Sequence, residues 1–131
     1  MKRSGLLNAE LLGRVGRLGH TDRVVVADCG LPVPADVPVV DLAVTLGLPG
    51  WREVLDALLA ELVVEGAVVA REAGDGEVGV WVAEREDALG GPPDRVPHER
   101  FKELVADASF VVRTGEATPY ANILLRCGVP F

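Results

Sequence analysis

Residues 18–32 read LGHTDRVVVADCGLP, and this stretch decides the fold. The pattern predicts that a helix ends at Gly19 and that the apolar, β-branched run Val24–Ala27 forms a buried strand. Asp28 follows that strand and precedes Gly and Pro, which are typical of a loop. The order helix, turn, strand, loop therefore places His20 before the strand and Asp28 after it, on connections that solvent and a ligand can reach.

Length and composition limit the classes of protein that the chain can belong to. With 131 residues, of which 49% are hydrophobic, residues 1–131 fit one domain with a sizeable core. The net charge of -7 and the lack of a basic run argue against nucleic-acid binding. The apolar runs are too short to span a bilayer, and polar residues return too early for a signal peptide. Cys29 and Cys127 lie far apart without neighbouring ligands, which argues against a zinc site and favours a reduced, cytoplasmic compartment.

Helix and strand patterns alternate along the rest of the chain. Asn8 is expected to cap a first helix that continues to Leu18, with one apolar face. Further helices are predicted at 51–62 and 98–106, and strands at 37–44, 63–70, 110–113 and 122–126. Residues 78–83 fit either a strand or the start of a helix, and residues 84–89 favour a helix. This alternation predicts an α/β single layered domain with a largely parallel sheet flanked by helices.

The chain contains two histidines, His20 and His98, and both stand beside turn-forming residues. An unperturbed imidazole titrates near about 6.5, so either ring can donate and accept a proton around neutrality. Taken alone, each histidine is better explained by a surface or helix-capping role than by catalysis. Lys102 follows His98 by about one helical turn, so the two side chains can face one cleft, although a solvated helix face has the same spacing.

Asp28 and residues 113–122 carry further candidate binding groups. A carboxylate at a strand end can grip a sugar hydroxyl or orient an imidazole, but it can also bond loop amides and cap the turn. Residues 113–122, RTGEATPYAN, supply more hydrogen-bonding groups than a connection requires. Tyr120 and Asn122 can bind a small polyol by stacking and paired hydrogen bonds, while Pro-Tyr also packs well in ordinary turns.

Four motifs occur in a fixed order: Leu18–Asp22 (LGHTD), Ala27–Pro34 (ADCGLPVP), His98–Lys102 (HERFK) and Arg113–Leu125 (RTGEATPYANILL). With the C-terminal GVPF, they resemble the D-ribose pyranase family of ribose and fucose mutarotases. The resemblance weakens only between about residues 71 and 97, and Cys29 stands where an alanine is common in the family.

This resemblance implies an isomerase that interconverts the β-pyranose and β-furanose forms of D-ribose by general acid-base catalysis. It implies His20 as the proton donor and, as the residues that bind the sugar, Asp28, His98, Tyr120, Ala121 and Asn122. No metal, nucleotide or redox cofactor is expected. The resemblance also implies a homo-oligomer, commonly a decamer of stacked pentameric rings, with sites near subunit boundaries.

Three alternatives remain open from the sequence. Fucose mutarotases share the early Gly-His and the late Thr-Gly-Glu with Tyr-x-Asn, but a histidine follows their aspartate within two residues, where this chain has Gly30. That difference favours ribose. A sugar-binding accessory module of ribose uptake that does not turn ribose over is the second alternative. A nucleotide-binding domain is the third, and the chain lacks both a Gly-x-Gly-x-x-Gly motif and a Walker loop.

The apolar content also predicts assembly, because it exceeds what one small core is expected to hide. We expect Tyr120 and Asn122 of one subunit to complete a pocket that contains His20 and Asp28 of its neighbour. Activity should then require the oligomer.

Overall fold

A computed structural model of the chain describes residues 1–131. Its helices are α1 (Ala9–Val15), α2 (Trp51–Leu59), α3 (Glu77–Ala83) and α4 (His98–Val105). Its strands are β1 (Arg23–Ala27), β2 (Val39–Asp41), β3 (Val64–Ala70), β4 (Asp94–Val96), β5 (Phe110–Arg113) and β6 (Ile123–Cys127). No helix combines the length and the apolar character needed to cross a membrane.

The six strands form one sheet in the order β2-β5-β1-β6-β3-β4. Strand β6 runs antiparallel to its neighbours β1 and β3, and the other three pairings are parallel. Five strands therefore point in one direction, and the prediction of a largely parallel sheet flanked by helices is confirmed. The single antiparallel strand makes the sheet mixed, which alternation of helices and strands alone does not reveal.

Strand β1 lies inside the sheet and is covered on both faces, which explains its unbroken run of apolar residues. Val24 and Val26 belong to a cluster of 22 buried residues that also includes the apolar faces of α1, α2 and α3. Val25 and Ala27 belong to a second cluster of 9 buried residues, built with α4. The sheet thus separates two cores, and its strands hold the loops at both ends of β1 in fixed positions.

Several element bounds differ from the predicted ones. Helix α1 begins as predicted, since the Asn8 side chain accepts the Leu11 N–H at 2.9 Å, but it ends at Val15, before Gly16, a poor helix former. The predicted helix over residues 84–89 is wrong, because that segment forms turns after α3. Three of its six side chains are acidic, and negative charge disfavours extension at a helix C-terminus.

The predicted strand 37–44 is shorter in the structure, where β2 covers only Val39–Asp41. Pro38 has no N–H to donate to a ladder, and the Asp41 side chain accepts the Ala43 N–H at 3.0 Å, which ends the strand in a turn. Strand β4 was not anticipated, because a three-residue edge strand with two charged residues has no apolar pattern.

Candidate functional site

The topology divides the candidate residues between two edges of the sheet. Asp28 follows β1, the segment 114–120 follows β5, and His98 follows β4, so all three lie at the carboxyl ends of parallel strands. This carboxyl edge is where open α/β sheets usually bind ligands. His20 precedes β1 and lies at the opposite, amino edge.

A pocket of about 360 Å³ occupies the carboxyl edge. Among the predicted site residues, it is lined by Asp28, His98 and Tyr120. The loops after β1 and β5 supply the remaining walls, which are Cys29, Gly30, Leu31, Pro32, Glu116, Ala117, Thr118 and Pro119. The pocket therefore combines a carboxylate, an imidazole and a phenol in a space suited to a small polar ligand.

The Asp28 carboxylate is held on both oxygens. Oδ1 accepts the Gly30 N–H at 2.9 Å, which is the turn-capping role, and Oδ2 accepts a hydrogen bond from Asn122 Nδ2 at 2.8 Å. Asn122 Oδ1 in turn accepts the Asp28 N–H at 2.9 Å. Asn122 and Ala121 are fully buried and lie outside the pocket lining, so Asn122 fixes the direction of Asp28. That Ala121 and Asn122 themselves bind the sugar stays a prediction.

His98 presents one ring nitrogen to the pocket. Its backbone N–H donates to Glu72 Oε2 at 2.8 Å, and its ring meets the Tyr120 ring edge-on with the centroids 5.1 Å apart. Nδ1 is buried without a partner, and Nε2 makes no hydrogen bond within the chain. A neutral ring avoids a buried, unpaired N–H only if the proton is on Nε2, so His98 is arranged to donate a hydrogen bond to a ligand.

Two residues other than glycine have positive φ angles: Tyr120 at 64° and Thr21 at 70°. Positive φ is unfavourable for any side chain and most unusual for a β-branched one such as threonine. Such conformations persist only where the surrounding structure enforces them, and they cluster at functional sites. Tyr120 lines the pocket at the carboxyl edge, and Thr21 directly follows His20 at the amino edge. Each edge of the sheet therefore has one strained residue beside a candidate site residue.

Glu116, which sequence reasoning did not single out, organises the pocket loop. Its Oε1 accepts the N–H groups of Ala117 and Thr118 at 3.1 Å and the Thr118 hydroxyl at 2.9 Å. Its Oε2 accepts the Trp51 N–H at 3.2 Å and so ties the loop to α2. Burial raises the pKa of Glu116, but these hydrogen bonds outweigh burial and lower it below its ordinary 4.5. The preceding residue, Gly115, allows the pocket loop to lie close to the Leu48 backbone, because a Cβ at Gly115 would lie 2.3 Å from the Leu48 carbonyl oxygen.

We expect Glu116→Gln to lower the free energy of unfolding at pH 7. Because the folded-state pKa of Glu116 is depressed, its contribution is present above 4.5 and is lost as the pH falls through the folded-state pKa. The stability gap between wild type and variant should therefore shrink below pH 4.5, which chemical denaturation at a fixed protein concentration measures. Glu103→Gln, on the exposed face of α4, is the control. A gap that does not change with pH would contradict this role.

His20 lies at the amino edge beside two charged residues. Its Nε2 is 2.9 Å from Glu65 Oε2, and the other Glu65 oxygen is 3.0 Å from Arg126 Nε. The hydrogen bond from His20 lowers the pKa of Glu65; burial opposes this change, and the charges of His20 and Arg126 reinforce it. Sequence reasoning missed Glu65, although a lone carboxylate within the apolar run 63–70 was a usable signal.

The expected division of residues between subunits is wrong. Asp28 lies in the same subunit as Tyr120 and Asn122, and His20 lies beyond the far end of β1. Five strand residues at about 3.3 Å each put roughly 16 Å between the two edges. His20 of one chain therefore cannot reach the pocket of the same chain.

Lys102 does not line the pocket with His98. Its ammonium lies 2.7 Å from Glu99 Oε1 on the same helix. The solvated helix face therefore accounts for the spacing of His98 and Lys102.

The whole chain matches known proteins. Residues 1–130 match the model of the RbsD / FucU transport protein family. A D-ribose pyranase from Cutibacterium acnes is 55% identical over 131 residues, with full coverage of both chains. The structure of Bacillus subtilis RbsD complexed with D-ribose superposes with a TM-score of 0.91 at 40% identity, again with full coverage of both chains. The fucose mutarotase from Streptococcus pneumoniae in complex with L-fucose has a TM-score of 0.80 at 24% identity and full coverage, a likeness of fold alone.

Proposed function

Because the chain belongs to the RbsD / FucU transport protein family, we propose that it is a D-ribose pyranase, a cofactor-independent isomerase that interconverts the β-pyranose and β-furanose forms of D-ribose. The observation that carries this proposal is the carboxyl-edge pocket, in which Asp28, His98 and Tyr120 converge. Full-length identity of 55% to a protein of that name supports the substrate.

The reaction needs proton transfer and little else. Opening the pyranose breaks the bond between C1 and the ring oxygen, which gains a proton, while the anomeric hydroxyl loses one and becomes the aldehyde. Closure through the 4-hydroxyl reverses these transfers and gives the furanose. His20 is the proposed proton donor and acceptor, since one imidazole can both accept and donate a proton, with an expected gain of about 10² to 10⁴ in rate.

The pocket is proposed to hold the sugar hydroxyls during these steps. The Asp28 carboxylate can accept hydrogen bonds from two hydroxyls, because Gly30 and Asn122 each occupy one acceptor position and leave one free on each oxygen. His98 Nε2–H can donate to a sugar oxygen, and the Tyr120 ring provides a face for the pentose. Ala121 and Asn122, which follow Tyr120 directly, are also proposed to bind the sugar.

The separation of His20 from the pocket supports a site shared between subunits. We propose that His20 of one subunit enters the pocket of a neighbour in a homo-oligomer, a decamer of stacked pentameric rings. Leu7, Val44 and Leu48 are each more than half exposed and line one apolar cleft, and such exposed apolar surface is typical of protein interfaces. Cytoplasmic location is proposed from the two free cysteines, of which Cys127 is buried with its pKa raised by burial.

Saturation-transfer NMR on equilibrated D-ribose tests the function directly. We expect added exchange between the pyranose and furanose anomeric signals, growing in proportion to the protein concentration. A non-catalytic sugar-binding module would leave these exchange rates unchanged. The same measurement on L-fucose tests the second candidate: faster exchange on fucose than on ribose would replace ribose with fucose as the substrate.

A further inference from the structure

We propose that Glu65 is the positioning residue of His20: it holds the ring through Nε2 and leaves Nδ1 as the nitrogen that exchanges protons with the sugar. This inference rests on the proposed function, in which His20 is the proton-transfer group. Nε2 and Glu65 Oε2 are 2.9 Å apart, and Nδ1 of the half-exposed ring makes no hydrogen bond within the chain.

The backbone around Glu65 forms a β-bulge, which fixes the position of this residue. Val64 pairs with Cys127 and Gly66 pairs with Arg126, so Glu65 is the extra residue of a β-bulge. A bulge turns a side chain away from the regular alternation of a strand and is frequent beside active sites. Gly90, at φ 81°, packs against this bulge so closely that a Cβ there would lie 2.8 Å from the Glu65 carbonyl carbon.

Arg126 completes the arrangement from the neighbouring strand. Arg126 Nε lies 3.0 Å from Glu65 Oε1, so the Glu65 carboxylate cannot rotate freely. The other carboxylate oxygen, Glu65 Oε2, points to His20. A Cβ at Gly66 would lie 3.2 Å from the Arg126 guanidinium, so the glycine leaves room for that group. Directly after His20 in the chain, Thr21 has its strained φ and donates its N–H to the Cys127 carbonyl at 2.9 Å.

The chemical consequence is a single tautomer. An ionised carboxylate accepts hydrogen bonds only, so Nε2 of the neutral ring carries the hydrogen and Nδ1 keeps the lone pair. Nδ1 can then take the proton of the anomeric hydroxyl as the C1–O bond breaks, and the resulting imidazolium can return a proton from Nδ1 to the ring oxygen. A carboxylate that fixes the tautomer of a catalytic histidine has a large effect on rate in other enzymes.

The test combines the isosteric variant Glu65→Gln with a spectroscopic readout. The chain has only two histidines, so magic-angle-spinning NMR of the sedimented, histidine-¹⁵N-labelled protein resolves both rings in their neutral form. We expect the Nε2–H tautomer of His20 in the wild type and a mixture of tautomers in Glu65→Gln, whose amide can also donate. Ribose exchange should fall by at least about tenfold in the variant. Asp107→Asn, an exposed partner of Arg23 at the same edge, is the control and should change neither readout.

Each contrary outcome has a distinct meaning. An Nδ1–H tautomer in the wild type, or a variant in which either the tautomer or the rate is unchanged, would overturn the role of Glu65. A wild-type protein that gives no ribose exchange would instead defeat the proposed function. The tautomer spectra, which need no activity, would then still decide whether Glu65 sets the state of His20.

Discussion

His20→Ala is expected to reduce catalysed exchange between ribopyranose and ribofuranose by about 10² to 10⁴, the usual contribution of a general acid-base group. Because Asp28, His98 and Tyr120 line the pocket and are the proposed sugar-binding groups, ribose affinity should fall far less than the rate. The side chain is 52% exposed, and substitutions at such surface positions usually change the free energy of unfolding by no more than about 0.5 kcal/mol. Exchange NMR, ribose titration and chemical denaturation measure these three quantities on one preparation.

The control for this variant is Thr118→Ala, which alters the pocket loop and leaves the amino edge intact. It should change ribose affinity more than the rate at saturation. Wild-type exchange in His20→Ala at matched concentration would remove His20 from the mechanism. A folded His20→Ala variant that cannot bind ribose would instead make His20 a binding residue.

Much of the fold could be predicted because strong local patterns decide it. The valine run of β1, the amphipathic face of α2 and the Asn8 cap are strong local signals for the elements that form there. Strand β4 and the antiparallel direction of β6 could not be predicted, since they depend on pairing partners that are distant in sequence. The helix predicted over 84–89 failed because its charges oppose helix extension, which a propensity argument ignores.

The candidate site was predictable as a set of residues but not as an arrangement. Asp28, His98 and Tyr120 were identified from residue type and loop position, and they do converge. The place of His20 at the far end of β1 follows from strand length once the register is known. Glu65 and Glu116 act through hydrogen bonds to residues that a one-dimensional pattern cannot bring together.

The second large effect is the recovery of activity in mixed oligomers, which is expected if each site is shared between two subunits. A double variant, Asp28→Asn with His98→Leu, removes polar groups from the pocket but keeps His20, and it should be nearly inactive by itself. His20→Ala has the opposite defect, with an intact pocket and no proton-transfer group. In a mixed oligomer, His20 of the double variant can enter the pocket of a His20→Ala subunit, so activity should reappear although neither parent has it.

If equal amounts of the two variants assemble at random, the recovered activity can be calculated. A working site needs the His20 donor from one kind of subunit and the pocket from the other, each with a chance of about one half, so about a quarter of the sites should work. The direct test co-expresses the two variants, confirms mixed oligomers by mass spectrometry, and measures ribose exchange by NMR. We expect about a quarter of the wild-type rate. Mixed oligomers with no more exchange than the parents would contradict the central claim that His20 of one subunit serves the pocket of another.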